Sequence, residues 1–286
     1  MRLIILAFIF FALPVRAQWL PIIWEYGRLT PDRAEERVAL TLPAEFDGYP
    51  CTVQLDTGMS GAFQWHGNIS EESTKIKFKV AGVVTEYFVD QKHLEKIRKG
   101  DCKVIASVGN AFFESGSLFL DLRNSRYKFE HAAVLASSEN ARPFVYARWY
   151  DVGGELLVEV KINSGEIKYA MLDTGATSFG LSPLSINAWT DVIGQPPAIT
   201  PGVAEYSVNS WGKQIKCFDI EIARPLSIGL QHDVKNIRVS YCQQPDFVPK
   251  QEIAGLLGLR HLMDSVITID YRSQRWIVDD SISAIR

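Results

Sequence analysis

The chain has four cysteines in 286 residues and no Cys-x-x-Cys pair. That lack removes the usual zinc and dithiol redox motifs. Gly-x-Ser-x-Gly is missing, as is a glycine-rich phosphate loop, so serine-hydrolase and nucleotide chemistry have no starting point. His66, His93, His131, His232 and His261 are scattered without metal-ligand spacing, and neither a metal nor a cofactor is expected. An excess of positive charge is also lacking. The formal net charge is -3 and no run of Lys and Arg carries interleaved aromatics, so nucleic acid is not an expected partner.

What is present is an ordinary globular composition, with 47% hydrophobic and 22% charged residues. Arg2 precedes the apolar run L-I-I-L-A-F-I-F-F-A-L, which ends at Pro14 and the small residue Ala17. This pattern reads as a secretory leader over residues 1–17, cleaved after Ala17. The run is well short of the ~20 apolar residues a bilayer span needs, and no stable membrane span is expected elsewhere. The product would be secreted or periplasmic. In such an oxidising compartment Cys51, Cys102, Cys217 and Cys242 form an even set. Three connectivities are possible. One bridge per half, Cys51–Cys102 and Cys217–Cys242, is the most economical, and four buried thiols are the alternative.

The tetrapeptide Leu-Asp-Thr-Gly occurs twice, around Asp56 and Asp173, offset by 117 positions. At that offset Gly48 meets Gly165 without a gap, and an alternating strand lies upstream of each copy (V-A-L-T-L and L-L-V-E-V-K-I). A second block, A-S-V-G-N-A-F-F over G-L-L-G-L-R-H-L, aligns Gly109 with Gly258 and continues to Asp121 and Asp270 at an offset of 149. The second half therefore carries 32 more residues between its anchors, expected as an added hairpin within Thr190–Cys242. The apolar runs are short, rich in Val, Ile, Phe and Tyr, and broken by Gly, Pro and Asn. These features predict an all-β chain built from a duplicated lobe. The divisions are 1–17 leader, 18–135 first lobe, 136–149 linker and 150–286 second lobe. Asp121 and Asp270 precede turns and are assigned structural roles.

Each Asp stands where a strand ends, and the Gly after it permits a tight reversal. Two such loops related by a pseudo-twofold would bring two carboxyl groups together. Like charges ~3 Å apart cannot both ionise, so the pair shares one proton. The ionised member can take a proton from water while the protonated member hydrogen-bonds a carbonyl oxygen. D-T-G-M-S and D-T-G-A-T-S, each followed by a strand ending in Gly (S-V-G-N, G-L-L-G), resemble the aspartic peptidases of the retropepsin-like and pepsin-like superfamily. The resemblance covers about Val38–Val278 and implies two pseudo-symmetric, retropepsin-like β-barrel lobes with a cleft between them. It implies a catalytic dyad of Asp56 and Asp173, an interlock of Thr57 and Thr174, and close backbone approach at Gly58 and Gly175. Gly109 and Gly258 would close the structure behind each loop. Lobe size and the 38 residues from Gln18 to Leu55, too few for a long propeptide, make the chain look like bacterial exported two-lobe members. A eukaryotic origin would instead make Asn68 a glycosylation site.

The sequence departs from the family pattern at Met59 and Ala176, where pepsin-like loops usually carry a hydroxyl. A dyad without that donor should be less acidic, with an optimum in the mildly acidic range. Ser107, opposite Leu256, is a polar choice for a packing strand. Flap hairpins are expected at Ala81-Gly82 and at Pro201-Gly202. The expected activity is an exported aspartic endopeptidase acting on a peptide or protein substrate. One chain supplies both Asp loops, so a monomer suffices. The competing readings are a catalytically weakened peptide-binding module of the same fold and a two-carboxylate glycoside hydrolase.

Overall fold

The structure is a computed structural model that describes residues 18–29, 33–67, 70, 73–149, 152–162, 165–210, 213–230, 232–243 and 252–280. The expected leader and Asn68 lie outside the described residues. The chain is mostly β, and its sheets curl into half-barrels. The first half runs β1 (Leu20–Pro21), β2 (Ile23–Gly27), β3 (Glu36–Phe46), β4 (Tyr49–Leu55), β5 (Phe63–Trp65), β6 (Ser73–Val80), β7 (Val83–Asp90), α1 (Gln91–Lys99), β8 (Ala106–Val108), α2 (Asn110–Phe113), β9 (Ser117–Asp121) and β10 (Arg126–Glu130). The second runs β11 (Arg142–Pro143), β12 (Val145–Trp149), β13 (Gly153–Ile162), β14 (Ile167–Leu172), β15 (Leu181–Ser182), α3 (Ile186–Ile193), β16 (Ala204–Ser210), β17 (Lys213–Ile222), β18 (Leu226–Ile228), β19 (His232–Val234), β20 (Ile237–Cys242), β21 (Leu256–Leu257), β22 (Val266–Asp270) and β23 (Arg275–Asp279). Among the described residues no helix is long and apolar enough to cross a membrane.

Period-two patterning explains the sheets. In β6, Ile76, Phe78 and Val80 face the core while Lys75, Lys77 and Lys79 face out. The first sheet has the order β5-β8-β4-β3-β6-β7, and the second β16-β17-β20-β15-β21-β14-β13-β18-β19. A third sheet, β1-β10-β9-β22-β23-β11, joins the halves. Its central pair, β9 with β22, sets Leu118 opposite Ile269 and Leu120 opposite Ile267. The segment 136–149 expected as linker contributes β11 to this sheet and β12 to the second. Asp121 accepts hydrogen bonds from Asn124 and Arg126, and Asp270 from the backbone N–H groups of Arg272 and Ser273. Both acids cap hairpin turns.

The repeat is reproduced atom by atom behind the two Asp loops. Asp56 N–H donates to Val108 carbonyl and Asp173 N–H to Leu257 carbonyl, each at 2.9 Å. β4 pairs in parallel with β8, and β14 in parallel with β21. A Cβ on Gly109 would lie 2.4 Å from the Met59 carbonyl oxygen, and one on Gly258 2.2 Å from that of Ala176. Nothing larger than glycine fits either place. The disulfides are Cys51–Cys102 and Cys217–Cys242, one in each lobe. The first ties β4 to the loop before β8, and the second joins directly opposed residues of β17 and β20.

Candidate active site

β4 and β14 each deliver an aspartate to the seam between the lobes. The loops then lock. Thr57 N–H donates to Thr174 Oγ1 and Thr174 N–H to Thr57 Oγ1, both at 3.0 Å. Each hydroxyl in turn donates across the seam, Thr57 to the Leu172 carbonyl at 2.7 Å and Thr174 to the Leu55 carbonyl at 2.9 Å. All four groups are buried, where a hydrogen bond lost leaves an orphan costing ~1–3 kcal/mol.

The glycines cross over in the same way. A Cβ on Gly58 would lie 2.8 Å from Asp173 Cγ, and one on Gly175 3.0 Å from Asp56 Cγ. Each backbone therefore packs face-on against the opposite carboxyl group. Asp56 and Asp173 hydrogen-bond each other. Burial, the charge of Asp173 and the hydrogen bond that Asp56 donates to it push the Asp56 carboxyl well above the ordinary range, against donation from Gly58 and Met59 N–H. Burial raises Asp173 as well. There the N–H of Gly175, the Asp56 hydrogen bond and the N–H groups of Ala176 and Gly58 oppose the rise. Asp173 is thus the member better supplied with donors. The two share one proton, and this supply of donors favours the charge on Asp173. Met59 and Ala176 bring no hydroxyl, but their backbone N–H groups reach the carboxylates.

The pair opens into a cleft of about 650 Å³, within the usual range for ligand sites. Its remaining wall is largely apolar, with Leu29, Val38 and Met59 from lobe one and Met171, Phe179 and Leu256 from lobe two. Val208 and Ile215, opposed in the β16–β17 hairpin, add to it. Among the described residues no cluster of three or more His, Cys, Asp or Glu is placed to hold a metal.

Neither expected flap tip is among the residues that line the cleft. Ala81 and Gly82 form the turn between β6 and β7, but neither lines the cleft, and Ala81 packs on the core. β6 is zipped to β3 with Ala44 opposite Val80, as β18 is zipped to β13 with Lys161 opposite Ser227. Ala44 and Lys161 are 117 positions apart, so β6–β7 is the counterpart of β18–β19, a structural pairing rather than a cover. Pro201 and Gly202 form a turn leading into β16 and do not line the cleft either. The cleft-facing part of that hairpin is six to thirteen residues on, at Val208 and Ile215. The added residues of the second half thus supply a hairpin that reaches the cleft, and among the described residues lobe one has no equivalent between β5 and β6.

Two further features emerge. Ser107 lies behind the first loop with its Oγ 2.8 Å from His66 Nε2, which satisfies the hydroxyl that looked out of place. Asn110 is fully buried between the lobes. Its Nδ2 donates to the carbonyls of Thr57 (2.8 Å) and Gly154 (2.9 Å), and its Oδ1 accepts from the Tyr271 hydroxyl (2.9 Å). The repeat places Asn110 over Leu259, and that polar-for-apolar mismatch is the signal by which it could be found. Comparison with models of known protein families gives no match, and none arises among curated proteins.

Proposed function

We propose that the protein is an aspartic endopeptidase with a two-lobe, retropepsin-like fold. The observation that carries this reading is the hydrogen-bonded pair of carboxyl groups lining the cleft, each faced by the other loop's glycine and held by the reciprocal Thr57–Thr174 lock. In the mechanism Asp173, ionised, accepts a proton from a water molecule whose oxygen attacks the peptide carbonyl carbon. Asp56, protonated, donates to the carbonyl oxygen as negative charge develops there. A tetrahedral diol forms. Proton transfer to the amide nitrogen and breakage of the C–N bond then release an amine and a carboxylic acid. Asp173 gives the nitrogen the proton it took from water and Asp56 takes one from a diol hydroxyl, so each Asp ends in its starting state.

The apolar walls suit uncharged side chains on either side of the bond. Shared-proton carboxyl groups speak against a glycoside hydrolase, whose two carboxyls stand ~5 Å or more apart. Export belongs to the same proposal, supported by the two disulfides and the leader-like residues 1–17. A mixed peptide library incubated across pH tests the activity. Wild-type protein should cleave with an optimum in the mildly acidic range, and Asp56→Asn or Asp173→Asn should lower turnover by at least about 10³-fold. An optimum near pH ~2 would contradict the donor argument made for Met59 and Ala176. Equal turnover by wild type and Asp56→Asn would remove the dyad from the chemistry. Peptide binding without turnover would favour the non-catalytic binding module.

A further inference from the structure

The hairpin β16–β17 and its neighbour β20 carry charges that this chemistry does not use. Asp219 is 2% exposed and Arg238 3%. Arg238 Nε donates to Asp219 Oδ1 at 2.9 Å, and Ser240 Oγ donates to the same atom at 2.5 Å. Lobe one completes the network. Arg33 Nη1 lies 2.6 Å from Asp219 Oδ2. Glu36 accepts from Arg238 Nη1 at 3.0 Å and from Arg260 Nη1 at 2.6 Å. One residue on, the Arg37 carbonyl accepts the hydroxyls of Thr177 and Ser178, each at 3.0 Å. Buried ionic networks are a costly way to gain stability, because desolvation offsets most of the attraction. Their characteristic effect is to fix one arrangement over others. Here the arrangement fixed is the flank of the hairpin against residues 33–37 of lobe one.

The position of that segment gives it a consequence for binding. The cleft holding Asp56 and Asp173 has Val38, Thr177 and Ser178 in its wall. A separate cavity of about 490 Å³ has Glu36, Arg37, Thr177 and Ser178 in its wall. Residues 36–38 and the hydroxyls they hold therefore form the partition between the two spaces. An extended peptide lying under the hairpin leaves by one flank or the other. On this flank stand residues 36–38, bonded to Thr177, Ser178, Arg238 and Arg260 of lobe two.

We propose that the Arg33–Asp219 and Glu36–Arg238–Arg260 tie makes the cleft one-ended, so that its substrates are short peptides and protein chain ends. Cleavage falls within a few residues of the end lodged at the tie. The inference rests on the peptidase reading and deepens it. A cleavable core chosen from a peptide library is lengthened one residue at a time, either at its N-terminus or at its C-terminus. Lengthening on one side should lower kcat/KM at least about tenfold, and lengthening on the other should leave it within about twofold. Arg33→Gln leaves Asp219 bonded to Arg238 and Ser240. This variant should cleave the shortest peptide as wild type does and recover several-fold of the lost rate on the long ones. Melting temperatures of both proteins check that the fold is kept. Equal tolerance of extension on both sides overturns the tie and leaves the peptidase reading intact. A one-sided penalty that persists in Arg33→Gln and in Arg33→Gln/Glu36→Gln assigns the block elsewhere and also overturns it. Failure to cleave any peptide in an Asp56-dependent way overturns the peptidase reading, and this proposal with it.

Discussion

Replacing Asn110 by leucine, the residue its counterpart position already holds, separates the two jobs that Asn110 performs. The first is adhesion. Asn110→Leu removes two donated hydrogen bonds, to the carbonyls of Thr57 and Gly154, and one accepted from Tyr271. Buried orphans cost ~1–3 kcal/mol each, and new apolar contact with some relaxation returns part of that, so a net loss of ~2–4 kcal/mol is expected. For a chain of this length the melting temperature should fall by roughly 5–10 °C. The second job is positioning. The Thr57 carbonyl held by Asn110 and the Gly58 N–H that reaches both aspartates belong to one peptide plane. Loosening the plane weakens a donor to the ionised dyad, so the carboxyl pKa values rise. Asp173 must be ionised to act as base. The acidic limb of kcat/KM should therefore move to higher pH, with kcat down about 10–100-fold and KM within a few-fold. Tyr271→Phe is the companion variant. It leaves both Asn110 donations intact and should cost ~1 kcal/mol without moving the limb. The assay is turnover of a library-selected peptide against pH, with melting curves alongside. A destabilised Asn110→Leu protein whose kcat and acidic limb match wild type would refute the positioning argument and leave Asn110 as adhesion only.

Gly58→Ala and Gly175→Ala each place a methyl about 3 Å from the opposite carboxyl carbon, and each should lower kcat/KM at least about 10³-fold while the disulfides still form; turnover within about tenfold of wild type would show the crossed packing to be dispensable. His261 supplies a stability test. Burial first, then Arg260 and His232, lower its imidazole pKa from 6.5 to about 4, and its Nε2 accepts the Arg238 N–H. The folded state therefore holds the neutral ring while the unfolded chain takes up a proton. Stability from this residue is complete above about pH 6.5 and drains away as pH falls toward about 4, by roughly 2–3 kcal/mol. Urea melts across that window should show the decline in wild type and a flatter profile in His261→Gln; parallel profiles would assign the decline to other groups.

Local chemistry was legible in the sequence, and long-range pairing was not. The Asp-Thr-Gly loops announce themselves because strand, acid and glycine are adjacent in the chain, and the lock between Thr57 and Thr174 follows from their equivalence in the repeat. The cysteines resolve as one bridge per lobe because each pair joins neighbouring segments of one sheet. The course of the expected flap hairpins is less legible, because a hairpin does not state in its own residues which strand it will join. K-F-K-V-A-G-V-V alternates equally well as a cover or as an addition to β3, and only the pairing of Ala44 with Val80 decides. The ion tie was hidden for a similar reason. Glu36 and Arg238 are 202 positions apart, and single charges at that distance carry no pattern.

The two lobes have diverged by exchanging polar and apolar choices at equivalent places. Where lobe two packs Leu256 and Leu259, lobe one has Ser107 and Asn110, each bonded to a named partner. Those substitutions concentrate hydrogen bonds behind the Asp56 loop, while the added hairpin brings Asp219 to Arg238 of β20 and Arg33 of lobe one. An identical pair of lobes would offer the dyad two equal environments. Here the Gly58 N–H is steered by Asn110 and reaches both acids, and Asp173 has the fuller set of donors. The hold of Asn110 on the Thr57–Gly58 peptide is lost at the apolar counterpart Leu259, so the lobes differ behind the Asp-Thr-Gly loops as well as within them. That difference predicts that the double variant Ser107→Leu/Asn110→Leu, which makes lobe one resemble lobe two, narrows the difference between the two carboxyls. Carbon-13 NMR of labelled aspartates reads that difference directly, and an unchanged separation of the two titrations would place its origin within the loops.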